Sequence, residues 1–421
     1  MKVLWFANTP CGATEKLIPD HYLGGWLKSL EQQLVLNNDI ELTVCFYWEE
    51  AIEPFRYKNT MYYPVFRPGR NSKTGRLINR ILRRDNDKKE IGELVKVVNT
   101  VRPDIIHIHG TEHNYGLILA HTDIPAVISI QGLLSPFSEM YFSGVPYCTA
   151  IRFEGIKTKL LFRSYSRTIA ELKKRATKER EILSHTQFVI GRTDWDRRIT
   201  GLLSPSSQYF ICNEMLRPAF YQFTWHKSLF NNPLQIVTIM NSDLSKGLET
   251  VIKSAEILCL QNSVTFKWII IGLKETDELP MMLKRWLNID YQSLNISFYG
   301  LKSETEVVEI LVNSDIYCQV SHLENSSNSL CEAMLIGMPV IASFAGGTDT
   351  IIENNKEGIL FQNGDAYSLA ATITELSKNF EKAVKYGTNA RNIALKRHNP
   401  NEIVSKQIEI YHSVIQTTEK K

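Results

Sequence analysis

Two hydrophobic periods alternate along this chain, and that alternation constrains the fold more than any other feature. Lys2–Ala7 (KVLWFA) is a short, β-rich apolar run that stops at Asn8, Thr9 and Pro10; Gly24-Gly25 then opens a helical spacing through Leu27, Leu30 and Leu34. Glu41–Trp48 reads as a second strand and Ile91–Val101 as a helix. Asp104–His109, Ala126–Gln131 and Gln187–Gly191 read as further strands. Apolar runs on this scale, separated by helices, describe a parallel sheet covered on both faces.

The pattern restarts after residue 215. Strands are expected at Leu234–Met240, Phe266–Ile271, Ser297–Tyr299, Asp315–Val320, Pro339–Ala342 and Gly358–Phe361, with helices at Gly247–Gln261, Glu304–Asn313 and Leu330–Ile336 between them. A length of 421 residues is long for one domain and comfortable for two. The expected organisation is an amino-terminal Rossmann-like domain at 1–215, a second at 216–398, and a carboxy-terminal helix and tail at 399–421 that packs back toward the first domain. Pro218 and a cluster of aromatics near Asn213–Trp225 mark the boundary. In open parallel sheets ligands bind beyond the carboxyl ends of strands, at the topological switch point. Site residues are therefore expected just after strands, in a cleft where the two α/β domains face each other.

Composition removes several classes. A formal net charge of +3 gives no case for nucleic acid. The seven cysteines form no C-x-x-C pair, which disfavours a zinc or redox motif and fits a reducing compartment. The apolar start is too short for a signal peptide, and no run approaches the ~20 residues of a membrane span; a soluble or peripheral cytoplasmic protein is expected. No G-x-G-x-x-G follows a strand, so a dinucleotide oxidoreductase is disfavoured.

The segment HLENSSNSLCEAMLIGMPV, residues 322–340, carries the chemistry. Glu324 and Glu332 stand eight apart, with a loop of small polar residues between a strand and a helix. Ser329 and Glu332 have the spacing of a capping box, and one reading of Glu332 is that it only caps the helix. The other reading uses the helix start itself, whose free N–H groups and positive dipole end suit a diphosphate. Asn328, Ser329 and Leu330 would offer backbone N–H groups, Ser326, Ser327 and Ser329 would permit close approach, and Glu332 would accept hydrogen bonds from ribose hydroxyls.

The E-x7-E pair, the block Glu332–Ser343 behind it, Gly346-Gly347, and Lys246-Gly247 ahead closely resemble the family 4 retaining glycosyltransferases of GT-B architecture, of the kind that build bacterial polysaccharides and other glycans. The resemblance is strong from about Leu234 to Gly364 and weaker in the amino-terminal half. It implies a nucleotide-sugar donor, with UDP as the expected nucleotide, and a glycan or lipid-linked saccharide acceptor. By position, Glu332 would bind the donor ribose, Glu324 would face the donor sugar at the reacting centre, and Ser327, Asn328 and Ser329 would meet the diphosphate or sugar. Lys246 would contact the diphosphate. Relatives often have an arginine shortly before that lysine; Met240, Asn241 and Ser242 stand there instead, leaving Asn241 a neutral hydrogen bond. Gly272 and Gly300 end strands and are expected to shape the base pocket. No metal or other cofactor is implied, and no Asp-x-Asp motif is present to hold a metal.

The amino-terminal half is less explicit. Gly25, before the first helix, matches a glycine-rich loop of similar enzymes, or is a plain helix start. Period two puts His107 and His109 on one face of a strand, with His107 expected in the core and His109, at the carboxyl end, the cleft candidate for a catalytic role. Gln131 stands where many relatives have histidine; it cannot exchange a proton near neutral pH and is left a hydrogen-bonding role. Arg192 follows another strand and either binds a phosphate or holds Asp194 or Asp196. Two basic stretches, Arg76–Lys89 and Arg152–Arg180, are either solvated helix faces or contacts to an anionic membrane. The alternatives to a transferase are another GT-B enzyme, such as an epimerase or phosphorylase, and a nucleotide-sugar-binding protein without catalysis.

Overall fold

A computed structural model of the chain describes residues 1–18, 25–67, 87–160 and 164–420. Gly24 and most of the basic stretch Arg76–Lys89 lie outside the described residues. The chain forms two compact units: Met1–Ser138 with Ala170–Met215 and His398–Lys421, and Glu139–Ile169 with Leu216–Arg397.

The first unit holds β1 (Lys2–Phe6), β2 (Glu41–Trp48), β3 (Phe55–Tyr57), β4 (Thr60–Phe66), β5 (Ile105–His109), β6 (Ala126–Ser129), β7 (Phe188–Gly191) and β8 (Gln208–Ile211). They form one sheet in the order β3-β4-β2-β1-β5-β6-β7-β8. Every pairing is parallel except that of β3 with β4. The central strand shows why a continuous apolar run is needed. Val3 and Trp5 point into a core with Leu27, Leu30 and Leu34 of helix Gly25–Leu34 and Ile403, Ile410 and Tyr411 of helix Pro400–Glu419. Leu4 and Phe6 point into the opposite core with Leu94 and Val98. The final helix thus belongs to this unit, started by Asn399, whose side chain accepts from the N–H groups of Asn401 and Glu402.

Strands β3, β4 and β8 were not expected. Pro64 lies inside β4, which weakens its strand signal. The edge strand β8 is exposed or half-buried at all four positions, so no apolar run announces it. The strand expected at Ala126–Gln131 stops at Ser129.

The second unit holds β9 (Leu234–Ile239), β10 (Phe266–Ile271), β11 (Ile296–Gly300), β12 (Ile316–Gln319), β13 (Val340–Phe344) and β14 (Ile359–Gln362). All pairings are parallel, in the order β11-β10-β9-β12-β13-β14. This is the strand order of a doubly wound nucleotide-binding sheet. Helix Asn328–Ile336 is buried from Leu330 to its end, which explains a sequence apolar nearly all round. It stops where Gly337 turns left-handed at φ 89°, and Pro339 precedes β13. No helix of the described residues is long and apolar enough to cross a membrane.

Candidate functional site

In the second unit, β9 and β12 are neighbours, yet the chain leaves β9 toward β10 and β12 toward β13, on opposite sides. The crevice between their outgoing loops is the switch point, where such sheets bind ligands. The loop after β9 runs from Met240 to Gly247 and includes the short turn Leu244–Lys246, held by Asp243, whose Oδ1 accepts from the Ser245 N–H at 2.9 Å and hydroxyl at 2.7 Å. The loop after β12 runs from Val320 to Ser327. The two are tied at the backbone, His322 N–H donating to the Ser245 carbonyl at 2.7 Å. Across this join the Lys246 ammonium donates to Glu324 Oε1 at 2.6 Å.

Glycines make that meeting possible. Gly247 is left-handed at φ 76°, and a Cβ there would overlap the Val320 carbonyl. Gly346, at φ 56°, lies so close that a Cβ would overlap the carbonyl of Glu324, which also accepts from the Gly347 N–H at 2.9 Å. The Gly346-Gly347 pair therefore holds Glu324 from beneath. Burial by itself would lower the Lys246 pKa, but the charge and hydrogen bond of Glu324 outweigh it and hold the ammonium above its usual range.

The helix N-terminus lies on the same loop. Ser327 is the N-cap, without a side-chain capping bond, and Asn328 is the first helical residue. The N–H groups of Asn328, Ser329 and Leu330 fall in the first turn, which has no intrahelical partners. Tyr317, from β12, donates to the Ser329 hydroxyl at 2.9 Å, and Ser327 and Ser329 Oγ lie 3.2 Å apart. Asn328 Oδ1 is buried and meets no hydrogen-bond donor among the described residues. A group of this kind points to a ligand or water.

The capping-box reading of Glu332 is incorrect. The helix starts at Asn328, so Glu332 sits a full turn inside and cannot reach back to an N-cap N–H. Its carboxylate instead receives a two-point clamp from Arg217, Nε to Oε1 at 2.7 Å and a terminal nitrogen to Oε2 at 2.8 Å. Burial raises the Glu332 pKa above the carboxylate range, and Arg217 offsets part of the rise. Arg217 precedes Pro218 in a segment whose sequence marked only a boundary, so nothing singled it out.

The glycines expected to shape the base pocket lie at the carboxyl ends of the parallel strands β10 and β11. Gly272 follows β10 and donates to the Gly300 carbonyl at the end of β11 at 2.8 Å. Asn241, after β9, is exposed. A second missed group lies behind Glu324: His322 and Glu249, both buried, meet Nε2 to Oε1 at 2.6 Å.

The first unit has its own switch point between β1 and β5. His109, expected at a cleft mouth, is instead fully buried, in ring contact with Trp5 at 4.5 Å, His107 at 3.8 Å and Trp26 at 6.0 Å between centroids. Neither ring nitrogen has a hydrogen-bond partner among the described residues. Burial, with His107 and Arg192 adding to it, holds His109 neutral, its pKa well below the usual value. A group so enclosed cannot serve as the exposed acid–base residue that its position suggested. His107 is hydrogen-bonded to Tyr411 at 2.7 Å and Ser129 at 2.6 Å. Arg192 stacks on the Trp26 ring at 4.3 Å and pairs with Glu214 at 3.5 Å. Asp196 is engaged by backbone, in a capping box with Thr193, and Asp194 pairs with Arg197 at 3.1 Å. Gln131 is half-buried beyond β6, and Gly25 is the first residue of its helix, at φ 44°.

Comparisons with known proteins agree with this arrangement. Residues 222–393 match the sequence profile of the family "Glycosyl transferases group 1". The amylovoran biosynthesis glycosyltransferase AmsK of Erwinia amylovora is 27% identical over 190 residues, 44% of this chain and 46% of that protein. The N-acetyl-alpha-D-glucosaminyl L-malate synthase of Bacillus anthracis is 30% identical over 181 residues, 43% of this chain and 45% of that one. The chain thus spans about half the length of the curated relatives it matches. Among solved structures, sucrose-phosphate synthase from Thermosynechococcus elongatus superposes with a TM-score of 0.72 at 13% identity, covering 99% of this chain and 100% of that one. Anabaena HepE in complex with UDP and glucose gives 0.60 at 16% identity, covering 98% and 100%. Two Rossmann-like units of this kind define the GT-B fold class. Within it, the segment 222–393, which holds the candidate site around Lys246, Glu324 and Glu332, is the part that resembles the group 1 glycosyl transferases.

Proposed function

We propose that the protein is a retaining glycosyltransferase that moves a hexose or N-acetylhexosamine from a UDP-sugar to a glycan or lipid-linked saccharide in surface polysaccharide biosynthesis. The observation that carries this reading is the Lys246–Glu324 pair at the β9/β12 switch point, beside the open N-terminus of helix Asn328–Ile336. The relative named for amylovoran biosynthesis and the UDP-bound structural neighbour support it.

The chemistry is substitution at the anomeric carbon. The bond from that carbon to the diphosphate oxygen breaks, and a bond to the acceptor hydroxyl forms on the same face. The hydroxyl proton passes to the departing phosphate. The protein then supplies position and charge. Lys246 leaves Glu324 to neutralise the diphosphate, and the first-turn N–H groups with Ser327 and Ser329 bind its oxygens. Glu324, released, orients the donor sugar. Glu332, fixed by Arg217, presents its remaining lone pairs to the ribose. Asn328 Oδ1 accepts from a donor hydroxyl. The scheme requires no metal. Acceptor recognition is assigned to the first unit, around Gln131 and Arg192.

A cytoplasmic location with peripheral membrane contact completes the proposal. Ile156 is 76% and Leu160 70% exposed, near the exposed or half-exposed cations Arg152 and Lys159. Apolar and basic groups side by side suit an anionic headgroup layer.

A melting-temperature screen of nucleotide sugars tests the donor half. A bound donor stabilises by RT ln(1 + [L]/Kd), about 2.7 kcal/mol at a hundred times Kd. Stabilisation by a UDP-sugar, followed by transfer with retained anomeric configuration, is expected. No shift with any nucleotide sugar refutes it.

A further inference from the structure

Behind Glu324 lies a buried hydrogen-bonded histidine that the proposed chemistry does not use. His322 is 3% exposed. Asn363 Nδ2 donates to the His322 carbonyl at 2.8 Å, which turns Asn363 Oδ1 toward the ring, 2.8 Å from Nδ1. An amide oxygen only accepts, so Nδ1 carries a proton. On the other side Nε2 lies 2.6 Å from Glu249 Oε1, an oxygen that also accepts from the Thr250 hydroxyl at 3.0 Å. An ionised Glu249 only accepts, so beside it Nε2 donates as well. Both ring nitrogens then carry protons, and the ring is assigned as a buried imidazolium paired with a carboxylate.

The position of this ion pair gives it a task. His322 is two residues before Glu324, and its N–H makes the backbone bond to Ser245, next to Lys246. Glu249 lies in the first turn of the helix Leu248–Gln261 that follows Lys246. The pair therefore joins the loop that carries Glu324 to the helix that follows Lys246, from behind. Gly144 covers it so closely that a Cβ would overlap both Glu249 Oε1 and His322 Nε2.

We propose that His322 is a positioning residue of the donor site: its ring, donating to Glu249 and Asn363 together, locks the loop Val320–Ser327 against the loop Met240–Gly247 and sets Glu324 and Lys246 for the donor. This rests on the donor-site reading above. The charged groups that face the ring are Glu249 and Lys253, both from helix Leu248–Gln261; Asn363 and Gly144, which meet the ring from other elements, are uncharged, as is Ser245, whose carbonyl meets the His322 backbone N–H. Burial would lower the imidazole pKa, but the hydrogen bond and charge of Glu249 raise it further, and the net value lies above the usual one. A raised value means that the lock is complete below the ordinary imidazole range and is lost as pH rises through the elevated pKa. Donor affinity then falls on the alkaline side.

Two measurements test this. In protein carrying 15N-labelled histidine, the His322 ring is expected to show both nitrogens protonated at pH 7, and its titration midpoint to move upward when UDP is added, because coupling between proton and nucleotide is reciprocal. In calorimetry across pH, His322→Gln is expected to bind UDP about tenfold more weakly or worse, within the range of such couplings, and to lose the alkaline fall seen in the wild type. A neutral ring, or a midpoint that UDP leaves in place, overturns the role even if His322→Gln does not fold. Wild-type affinity and pH profile in His322→Gln overturn it as well. A wild-type protein that binds no UDP overturns the donor-site reading, and this inference with it; one that binds UDP while His322 is silent overturns this inference alone.

Discussion

Replacing Arg217 by methionine isolates what the Glu332 carboxylate needs from its partner. The substitution keeps an unbranched apolar stem and removes two charge-assisted hydrogen bonds, at 2.7 and 2.8 Å. Bonds of that type contribute about 1.5–3 kcal/mol each. The arginine side chain is 27% exposed and the glutamate only 4%, so water replaces little on the carboxylate side. Removing one partner of such a pair costs up to about 3–5 kcal/mol. Glu332 limits the damage by taking up a proton, at about 1.4 kcal/mol per unit between its pKa and the pH. The expected loss is about 3 kcal/mol at pH 7.5 in urea unfolding. Its pH dependence has a definite sign. In the variant the folded carboxyl has a pKa above its unfolded value, so the folded state holds the extra proton, and stability rises as pH falls through that value. The loss is therefore expected to be smaller at pH 5.5 than at pH 7.5. The double variant Arg217→Met, Glu332→Leu is expected to recover most of the stability while losing donor affinity, because a packed apolar pair replaces a buried ion pair at little cost. A loss below about 0.5 kcal/mol, or one unchanged between the two pH values, would refute the reasoning.

Further outcomes follow from the same geometry. Glu324→Ala is expected to lower transfer at saturating donor at least about tenfold, roughly 1.4 kcal/mol in barrier, with melting little changed; wild-type turnover would remove Glu324 from the mechanism. Gly247→Ala forces a Cβ against the Val320 carbonyl at a left-handed residue and is expected to cost about 1–3 kcal/mol and to weaken UDP binding, both measurable in one melting series with and without UDP. His109 is expected to stay neutral in ring 15N spectra from pH 5 to 9, since its pKa lies well below the usual value; a midpoint in that window, matching a limb of the transfer rate, would restore it as an acid–base residue.

Much of the fold could be read from the sequence, because parallel strands buried on both faces must be continuously apolar. Phe266–Ile271 and Glu304–Asn313 were bounded correctly to the residue. The sequence was silent where that pressure is absent, as in half-exposed β8 and Pro-containing β4. The candidate site was legible as a set of residue types, since Lys246-Gly247 and Glu324 lie in loops after strands and Glu332 in the helix that follows. Its interior wiring was not. Arg217 reaches Glu332 across 115 residues, and Glu249 reaches His322 across 73, with no periodicity linking either pair. The capping-box spacing of Ser329 and Glu332 misled because the helix begins two residues earlier than that spacing requires, while among the described residues boxes form at Thr193–Asp196 and Ser303–Glu306.

The central claim is that Lys246 takes the donor diphosphate at the β9/β12 switch point. Calorimetric titration of wild type and Lys246→Met with UDP, UMP and uridine tests it directly. The wild type is expected to prefer UDP over UMP, and the variant to lose that preference, with UDP affinity down about tenfold or more, while uridine binding and melting temperature stay level. An undiminished preference for UDP in Lys246→Met, or no nucleotide binding by the wild type, would contradict the claim.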